Sequence, residues 1–173
     1  MSEYFFPKLH SVEALGPYRL RTRWSTGEVL ELDIEGKLKK YPALAPILAP
    51  DVFSTVHVGE WGGSIEWIDE EFGADNVYAW AKEQAGKVSH EMLGNWMIRN
   101  GLSLSGAAQA LGISRRMVSY YRTAHNPISR TIWLACLGWA GKPPGPGNAN
   151  FRMACQRLMS MPRYTRDCTG AIC

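Results

Sequence analysis

The chain has 173 residues and a formal net charge of +3. That small total conceals an imbalance, because residues 1–86 hold 8 basic and 14 acidic residues (net −6), whereas residues 87–173 hold 11 and 2 (net +9). We call these segments the acidic half and the basic half. Such asymmetry is typical of a protein in which one part alone faces nucleic acid.

The composition excludes several classes of protein. No stretch approaches the roughly 18 apolar residues of a membrane span, and residues 1–10 lack the pattern of a secretory signal, so we expect a cytoplasmic protein without membrane contact. The sequence carries no cofactor or phosphate motif, so we predict no cofactor, no catalytic residues and no enzyme activity. The cysteines lack the spacing of a zinc site, and we predict no metal; they are Cys136, Cys155, Cys168 and Cys173.

Two β-hairpins and a helix are predicted in the acidic half. Residues 18–25 and 29–34 are rich in β-forming residues around a short turn, and prolines predict a loop with at most a helical turn over residues 41–50. Residues 55–59 and 64–68 form the second predicted hairpin. The helix is predicted to begin at Asp75 as its N-cap, to run to Gln84 and to stop at Gly86.

Carboxylates and tryptophans are the other notable residues of this half. Five carboxylates would suit a metal site, a catalytic pair or a surface for a basic partner, but such runs usually face solvent, and we favour a solvated face. They are Glu66, Asp69, Glu70, Glu71 and Asp75. We assign four tryptophans to the core and rim of a small sheet: Trp24, Trp61, Trp67 and Trp80.

The order of these elements resembles a small bacterial family of domains of unknown function. Its members are often fused to, or encoded beside, repressor-type helix-turn-helix modules. The resemblance implies an antitoxin or regulator component without assigning an activity. The matching residues are Val12, Tyr18, Leu20, Gly27, Glu28, Val29, Asp33, Leu44, Phe53, Val56, Gly62, Gly63, Ile65, Glu66, Trp67 and Asp69.

The basic half is predicted to be helical. Ser89 is a plausible N-cap for a helix that runs through Arg99. Residues 104–123 then have the pattern of two short helices that cross at a steep angle, because Ala107 and Ala108 are small enough for the backbones to touch. Gly112 can adopt the left-handed conformation that ends the first of these helices.

The second helix is predicted to begin after Ser114, whose hydroxyl can cap it. The stretch resembles helix-turn-helix regulators of the lambda repressor and Cro type over residues 89–140. The resemblance implies that residues 115–123 enter the major groove, with dimer half-sites about 34 Å apart. That family often has a Gln at the position of Leu104, where it contacts phosphate, so Ser103 or Ser105 is the expected substitute.

Polar side chains of this motif form the predicted DNA-binding face. Arg115 and Arg116 are candidates for reading base edges, because a guanidinium can donate two hydrogen bonds to guanine; a phosphate clamp or a solvated surface is the alternative. Arg122 points away from the face and is expected to meet phosphate or water. The full predicted set is Ser103, Ser105, Ser114, Arg115, Arg116, Ser119, Tyr120, Arg122 and Thr123.

We therefore predict an α+β N-terminal domain of two hairpins and a helix, followed by an all-α, lambda-repressor-like helix-turn-helix domain. The predicted boundaries are 1–86, 87–141 and a basic tail over 142–173, rich in Pro and Gly, that is partly disordered or forms one extra helix. The predicted function is that of a sequence-specific transcriptional regulator that binds double-stranded DNA as a homodimer, with an N-terminal domain for dimerisation or partner binding. The alternative is an antitoxin-like interaction protein whose acidic half binds a basic, toxin-like protein partner.

Overall fold

A three-stranded antiparallel sheet opens the fold. In the computed structural model, which describes residues 6–140, its strands are β1 (Leu9–Gly16), β2 (Arg19–Trp24) and β3 (Val29–Asp33), side by side in that order. Burial alternates along β2 and β3, and the predicted first hairpin is confirmed. Strand β1 was not predicted, because two register shifts interrupt the alternation that reveals a strand in sequence.

Short helical segments cross the proline-rich region. Helix α1 (Glu35–Lys40) is followed by a 3₁₀ helix (Pro42–Leu48) and the single turn α2 (Pro50–Phe53). The prediction of a loop with at most a helical turn over residues 41–50 is wrong in extent, because the 3₁₀ helix alone covers seven of these residues. Helix α1 was missed, since six residues are too few for a clear helical period.

A second antiparallel sheet consists of β4 (His57–Val58), β5 (Ser64–Glu66) and β6 (Glu71–Gly73). Its first two strands confirm the second predicted hairpin, with shorter strands. Helix α3 (Ala74–Gln84) follows and contacts β3, β5 and β6. Its N-cap is Gly73, so the prediction that Asp75 caps the helix is wrong: Asp75 lies inside the first turn and accepts a hydrogen bond from the backbone N–H of Asn76 (2.8 Å).

Aliphatic side chains make up most of the core of the acidic half, and aromatic rings pack among them. Trp24 and Trp67 are buried, and the Trp24 and Tyr78 rings meet edge to face with centroids 4.7 Å apart. Trp80 is half-buried below the Lys37 ammonium, as expected for the rim of the sheet. The assignment of Trp61 to the core or rim is wrong, because 85% of its surface is exposed.

The remaining described elements are helical: α4 (His90–Arg99), α5 (Leu104–Leu111), α6 (Arg115–Arg122) and α7 (Arg130–Ala140). Ser89 caps α4 as predicted, since its hydroxyl accepts a hydrogen bond from the N–H of Met92 (3.1 Å). An α+β region followed by an all-α region confirms the predicted fold class. No helix within residues 6–140 is long and apolar enough to cross a membrane.

Residues of both halves meet next to the short segment between α3 and α4. The Ser89 hydroxyl donates to the Glu83 carboxylate (2.5 Å), and the Lys87 ammonium donates to Glu28 (3.0 Å). The described residues up to Leu137 group as one compact unit. The predicted domain boundaries stay a prediction, and the predicted tail over 142–173 lies outside the described residues.

Candidate nucleic-acid interface

Helices α5 and α6 pack against each other. Ala107 and Ala108 are buried, as their predicted place at the helix crossing requires. Gly112 ends α5 in the left-handed conformation (φ 66°, ψ 30°), which confirms its predicted role. The N–H of Ile113 then donates back to the carbonyl of Ala108 (3.0 Å), so the turn between the helices is hydrogen-bonded.

A serine caps each of these helices. The hydroxyl of Ser103 accepts a hydrogen bond from the N–H of Gly106 (3.1 Å), and that of Ser114 accepts one from the N–H of Met117 (3.1 Å). The predicted cap at Ser114 is thus confirmed. Because a capping hydroxyl accepts from the backbone, its own O–H can still donate to an external acceptor at the positive end of the helix dipole.

Four predicted DNA-binding residues line one open cavity of about 470 Å³ on the outer face of α6. They are Arg115, Arg116, Ser119 and Tyr120, and Leu104 at the start of α5 completes the cavity. The two arginines are exposed, and no carboxylate within residues 6–140 pairs with either. This face can therefore offer two guanidinium groups to an anionic partner.

Arg116 is held by its own helix. Its Nε donates to the Tyr120 hydroxyl (2.5 Å), and its guanidinium lies 5.2 Å from the centre of the Tyr120 ring. The Tyr120 ring also stacks at a tilt on His125, with centroids 4.7 Å apart. Because one N–H of the guanidinium is used here, the donors at its two terminal nitrogens stay available for a bidentate contact.

The other predicted residues are distributed around this face. Ser103, Arg122 and Thr123 share with Ser119 a neighbouring cavity of about 370 Å³ between α4, α5 and α6. The Arg122 guanidinium lies against α4 at Gly94. Only a glycine leaves room for it there, because a Cβ at position 94 would overlap Arg122 Nη1. The Thr123 hydroxyl donates to the carbonyl of Ser119 (3.1 Å), within its own helix.

The structure places two residues differently from the predicted DNA-binding set. Ser105 is exposed on α5 but lines neither cavity. Leu104 lines both cavities. The sequence predicts no DNA contact there, because the residue is apolar where the related regulators have a polar one.

Positive charge dominates the helical region. Residues 88–140 contain five arginines and a single carboxylate, that of Glu91. Within residues 6–140 none of these arginines is part of an ion pair, so their charge is not neutralised locally; they are Arg99, Arg115, Arg116, Arg122 and Arg130. The same part of the chain contains no cluster of three His, Cys, Asp or Glu residues placed to hold a metal ion.

A solved structure with the same fold comes from Nitrosomonas europaea ATCC 19718 and is described as a "Putative DNA Binding Protein". It is 72% identical in sequence, with a TM-score of 0.77, and the match covers 84% of this chain and 94% of that chain. The chain belongs to the same family as the Nitrosomonas protein. No curated protein is significantly similar to the chain.

Residues 9–83 also match a family model described as "Protein of unknown function (DUF2442)". The match spans both sheets and nearly all of α3, which confirms the resemblance predicted for the acidic half. It ends before α4 and leaves the helical region outside. The lambda-repressor type of α5 and α6 stays a prediction.

Proposed function

We propose that the chain is a sequence-specific transcriptional regulator that binds double-stranded DNA through α5 and α6, used as a lambda-repressor-type helix-turn-helix. The observation that carries this proposal is the exposed face of α6 next to the capped start of α5, where Arg115 and Arg116 have no carboxylate partner among residues 6–140. The name given to the Nitrosomonas protein supports the same class of partner. In this proposal the chain is a cytoplasmic binding protein rather than an enzyme.

The dimensions of α6 suit a major groove. Its DNA-facing residues lie one turn apart, at positions 115, 116, 119 and 120, and an α-helix rises about 5.4 Å per turn. The major groove of B-DNA is about 12 Å wide and accepts a helix. Arg115 and Arg116, in the first turn of α6, would then reach base edges, where a guanidinium can bind O6 and N7 of guanine.

The helix starts would fix the position on the phosphate backbone. Ser103 and Ser114 each stand at a helix N-terminus, where backbone N–H groups and the helix dipole favour an anion. Arg122, exposed at the end of α6, is assigned to a phosphate. Such contacts carry affinity and its salt dependence, while the base contacts carry sequence preference.

Homodimerisation is part of the proposal. A single helix reads few base pairs, and regulators of this type reach useful specificity by binding two half-sites about one helical turn apart. Sedimentation of the protein on a duplex of known length would give the number of chains per site. One chain per specific site would refute the dimer.

The test is a titration of genomic DNA fragments at increasing salt, followed by the same titration with Arg115→Ala and Arg116→Ala. Each replacement should weaken binding to the preferred fragment by roughly 10-fold to 100-fold and reduce its advantage over random DNA, because one bidentate base contact gives about 1–3 kcal/mol of discrimination. Arg99→Ala is the matched control: this exposed arginine lies at the end of α4 and lines neither cavity. Unchanged preference in both variants would refute the assignment of the face.

One observation favours a second function, binding of a basic protein by the acidic half. Trp61 is 85% exposed and has a left-handed backbone (φ 59°), which a bulky residue adopts only where the surrounding structure enforces it. Gly62 follows in the same left-handed region, and a Cβ at that position would collide with the backbone oxygen of Leu9, so this turn lies close against β1. An exposed tryptophan beside Glu60 is suited to a partner's cationic side chain.

Co-expression with the product of the neighbouring gene tests this second function. A stable complex that survives deletion of residues 87–173 and is lost with Trp61→Ala would place the main activity in the acidic half. Trp61→Phe, which keeps an aromatic face, should retain the complex. A complex that tolerates Trp61→Ala would refute the role of this residue.

A further inference from the structure

A pocket of about 440 Å³ lies where the acidic half meets the helical region. Glu28 and Lys82 line it from the acidic half and Lys87 from the segment that leads to α4, while Ile128, Arg130 and Trp133 line its other side. We call it the junction pocket. Its volume is within the range of about 300–1,000 Å³ that is usual for small-molecule sites.

One carboxylate organises two lysines at the wall of the pocket. Glu28 accepts hydrogen bonds from the Lys82 ammonium through both oxygens (2.9 and 3.0 Å), from the Lys87 ammonium (3.0 Å) and from the Tyr78 hydroxyl (2.6 Å). The side chain of Lys82 is only 6% exposed. A single negative charge therefore faces two positive charges, one of which is buried.

Arg130 adds a further positive charge. It is exposed at the start of α7, and within residues 6–140 no carboxylate is paired with it. Together with the Glu28 cluster, the described residues that line the pocket carry a surplus of two positive charges. The buried Lys82 is paired with Glu28, whereas Lys87 and Arg130 are open to solvent and to a ligand, so the electrostatics of the pocket favour an anion.

The donors that such an anion needs are present. The Lys87 ammonium uses one of its three N–H groups on Glu28, which leaves two for a ligand, and the Arg130 guanidinium can bind a carboxylate through two parallel hydrogen bonds. Ile128 and the indole of Trp133 supply an apolar wall next to these donors. A flat apolar group can pack against such a wall.

We propose that the junction pocket binds a small organic anion, a carboxylate attached to a flat apolar group. Lys87 and Arg130 hold the carboxylate, and Trp133 packs against the apolar part. The inference goes beyond the proposed DNA binding, because it concerns a different surface and does not depend on what α6 contacts. A ligand there contacts residues from both sides of the junction and stabilises the folded chain by mass action.

Isothermal titration of the full chain with three matched probes tests the proposal. The first is 2-naphthoate, the second is 2-naphthalenemethanol, which keeps the rings without the charge, and the third is inorganic phosphate, which keeps the charge without the rings. We expect saturable 1:1 binding of 2-naphthoate and at least about tenfold weaker binding of the other two, because each lacks one half of the recognition. Equal binding of 2-naphthoate and its neutral analogue, or no binding of either, overturns the proposal.

The variant Arg130→Gln tests whether 2-naphthoate binds in the junction pocket. This exposed side chain can be changed without loss of the core, and we expect roughly tenfold weaker 2-naphthoate binding, since a charge-assisted bidentate contact is lost. Arg99→Gln is the control with the same change of charge outside the pocket and should bind normally. If both variants lose affinity equally, the effect is general electrostatics and the pocket assignment is wrong.

DNA titration of the same variants separates this proposal from the previous one. Absence of 2-naphthoate binding together with a marked loss of DNA affinity in Arg130→Gln would make the pocket part of the phosphate-contacting surface, which overturns the small-anion proposal. Failure of the Arg115 and Arg116 variants to alter DNA preference would refute the DNA-binding face and leave the pocket unaffected.

Discussion

Replacing Glu28 by Gln removes the carboxylate that holds Lys82 and Lys87. Burial by itself raises the pKa of the Glu28 carboxyl, but hydrogen bonds from Tyr78, Lys82 and Lys87 outweigh burial and lower this pKa from 4.5 to about 2. A difference of about 2.5 pKa units corresponds to about 3 kcal/mol, because each unit is worth 1.36 kcal/mol. We therefore expect Glu28→Gln to reduce the free energy of unfolding at pH 7 by about 3 kcal/mol.

The pH dependence of this effect has a definite sign. A carboxyl whose folded pKa lies below its unfolded pKa stabilises the protein fully above the unfolded value and loses that effect as the pH falls through the folded value. The stability difference between the wild type and Glu28→Gln should therefore be constant above about pH 5 and should shrink between pH 4.5 and about 2.

Urea unfolding followed by circular dichroism, at pH 7 and at steps down to pH 2.5, measures this difference. Glu31→Gln is the matched control, because Glu31 pairs with Arg19 and Arg21 on the surface, where such pairs contribute at most about 1 kcal/mol. Equal losses in the two variants, or a difference that does not shrink below pH 4.5, would refute the reasoning.

The remaining predictions concern α5 and α6, and chemical unfolding measures all three. Gly112→Ala should destabilise the protein by about 1 kcal/mol, because φ is 66° at this position; an unchanged stability would show that the turn relaxes. Ser114→Ala should cost about 1 kcal/mol through loss of the cap, whereas exposed Ser105→Ala should cost almost nothing, and the reverse order would contradict the capping assignment. Ala107→Leu should cost about 1–3 kcal/mol by overfilling the fully buried helix contact, and a neutral result would mean that the helices can separate there.

Local structure was largely predictable from local sequence. The hairpins, the cap of α4 at Ser89 and the cap of α6 at Ser114 each depend on residues a few positions apart, so their signals survive in the sequence alone. The predictions of secondary structure were wrong where the local sequence pattern was interrupted or fitted two positions equally well. Strand β1 carries two register shifts, and Asp75 is as acceptable inside a first turn as at the cap.

The predicted DNA-binding face also depends mostly on residues that are close together in the sequence. Arg115, Arg116, Ser119 and Tyr120 share one helix, so the helical period alone places them together, and they line one cavity. The place of Arg122 against Gly94 was not predictable, since it depends on how α4 packs on α6. Leu104 was discounted as a contact residue, although its position between two cavities makes it part of the face.

The sequence by itself determined the partition of charge, the two hairpins, the helical nature of the basic half and the residues of the exposed face of α6. Tertiary structure alone decided the outward exposure of Trp61, which the sequence pattern had placed with the core and rim tryptophans. It also decided the junction pocket, because Glu28 meets Lys82 and Lys87 across 54 and 59 positions of the chain. No pattern of nearby residues reveals such a meeting, since it depends on how separate elements pack and not on the period of any one of them.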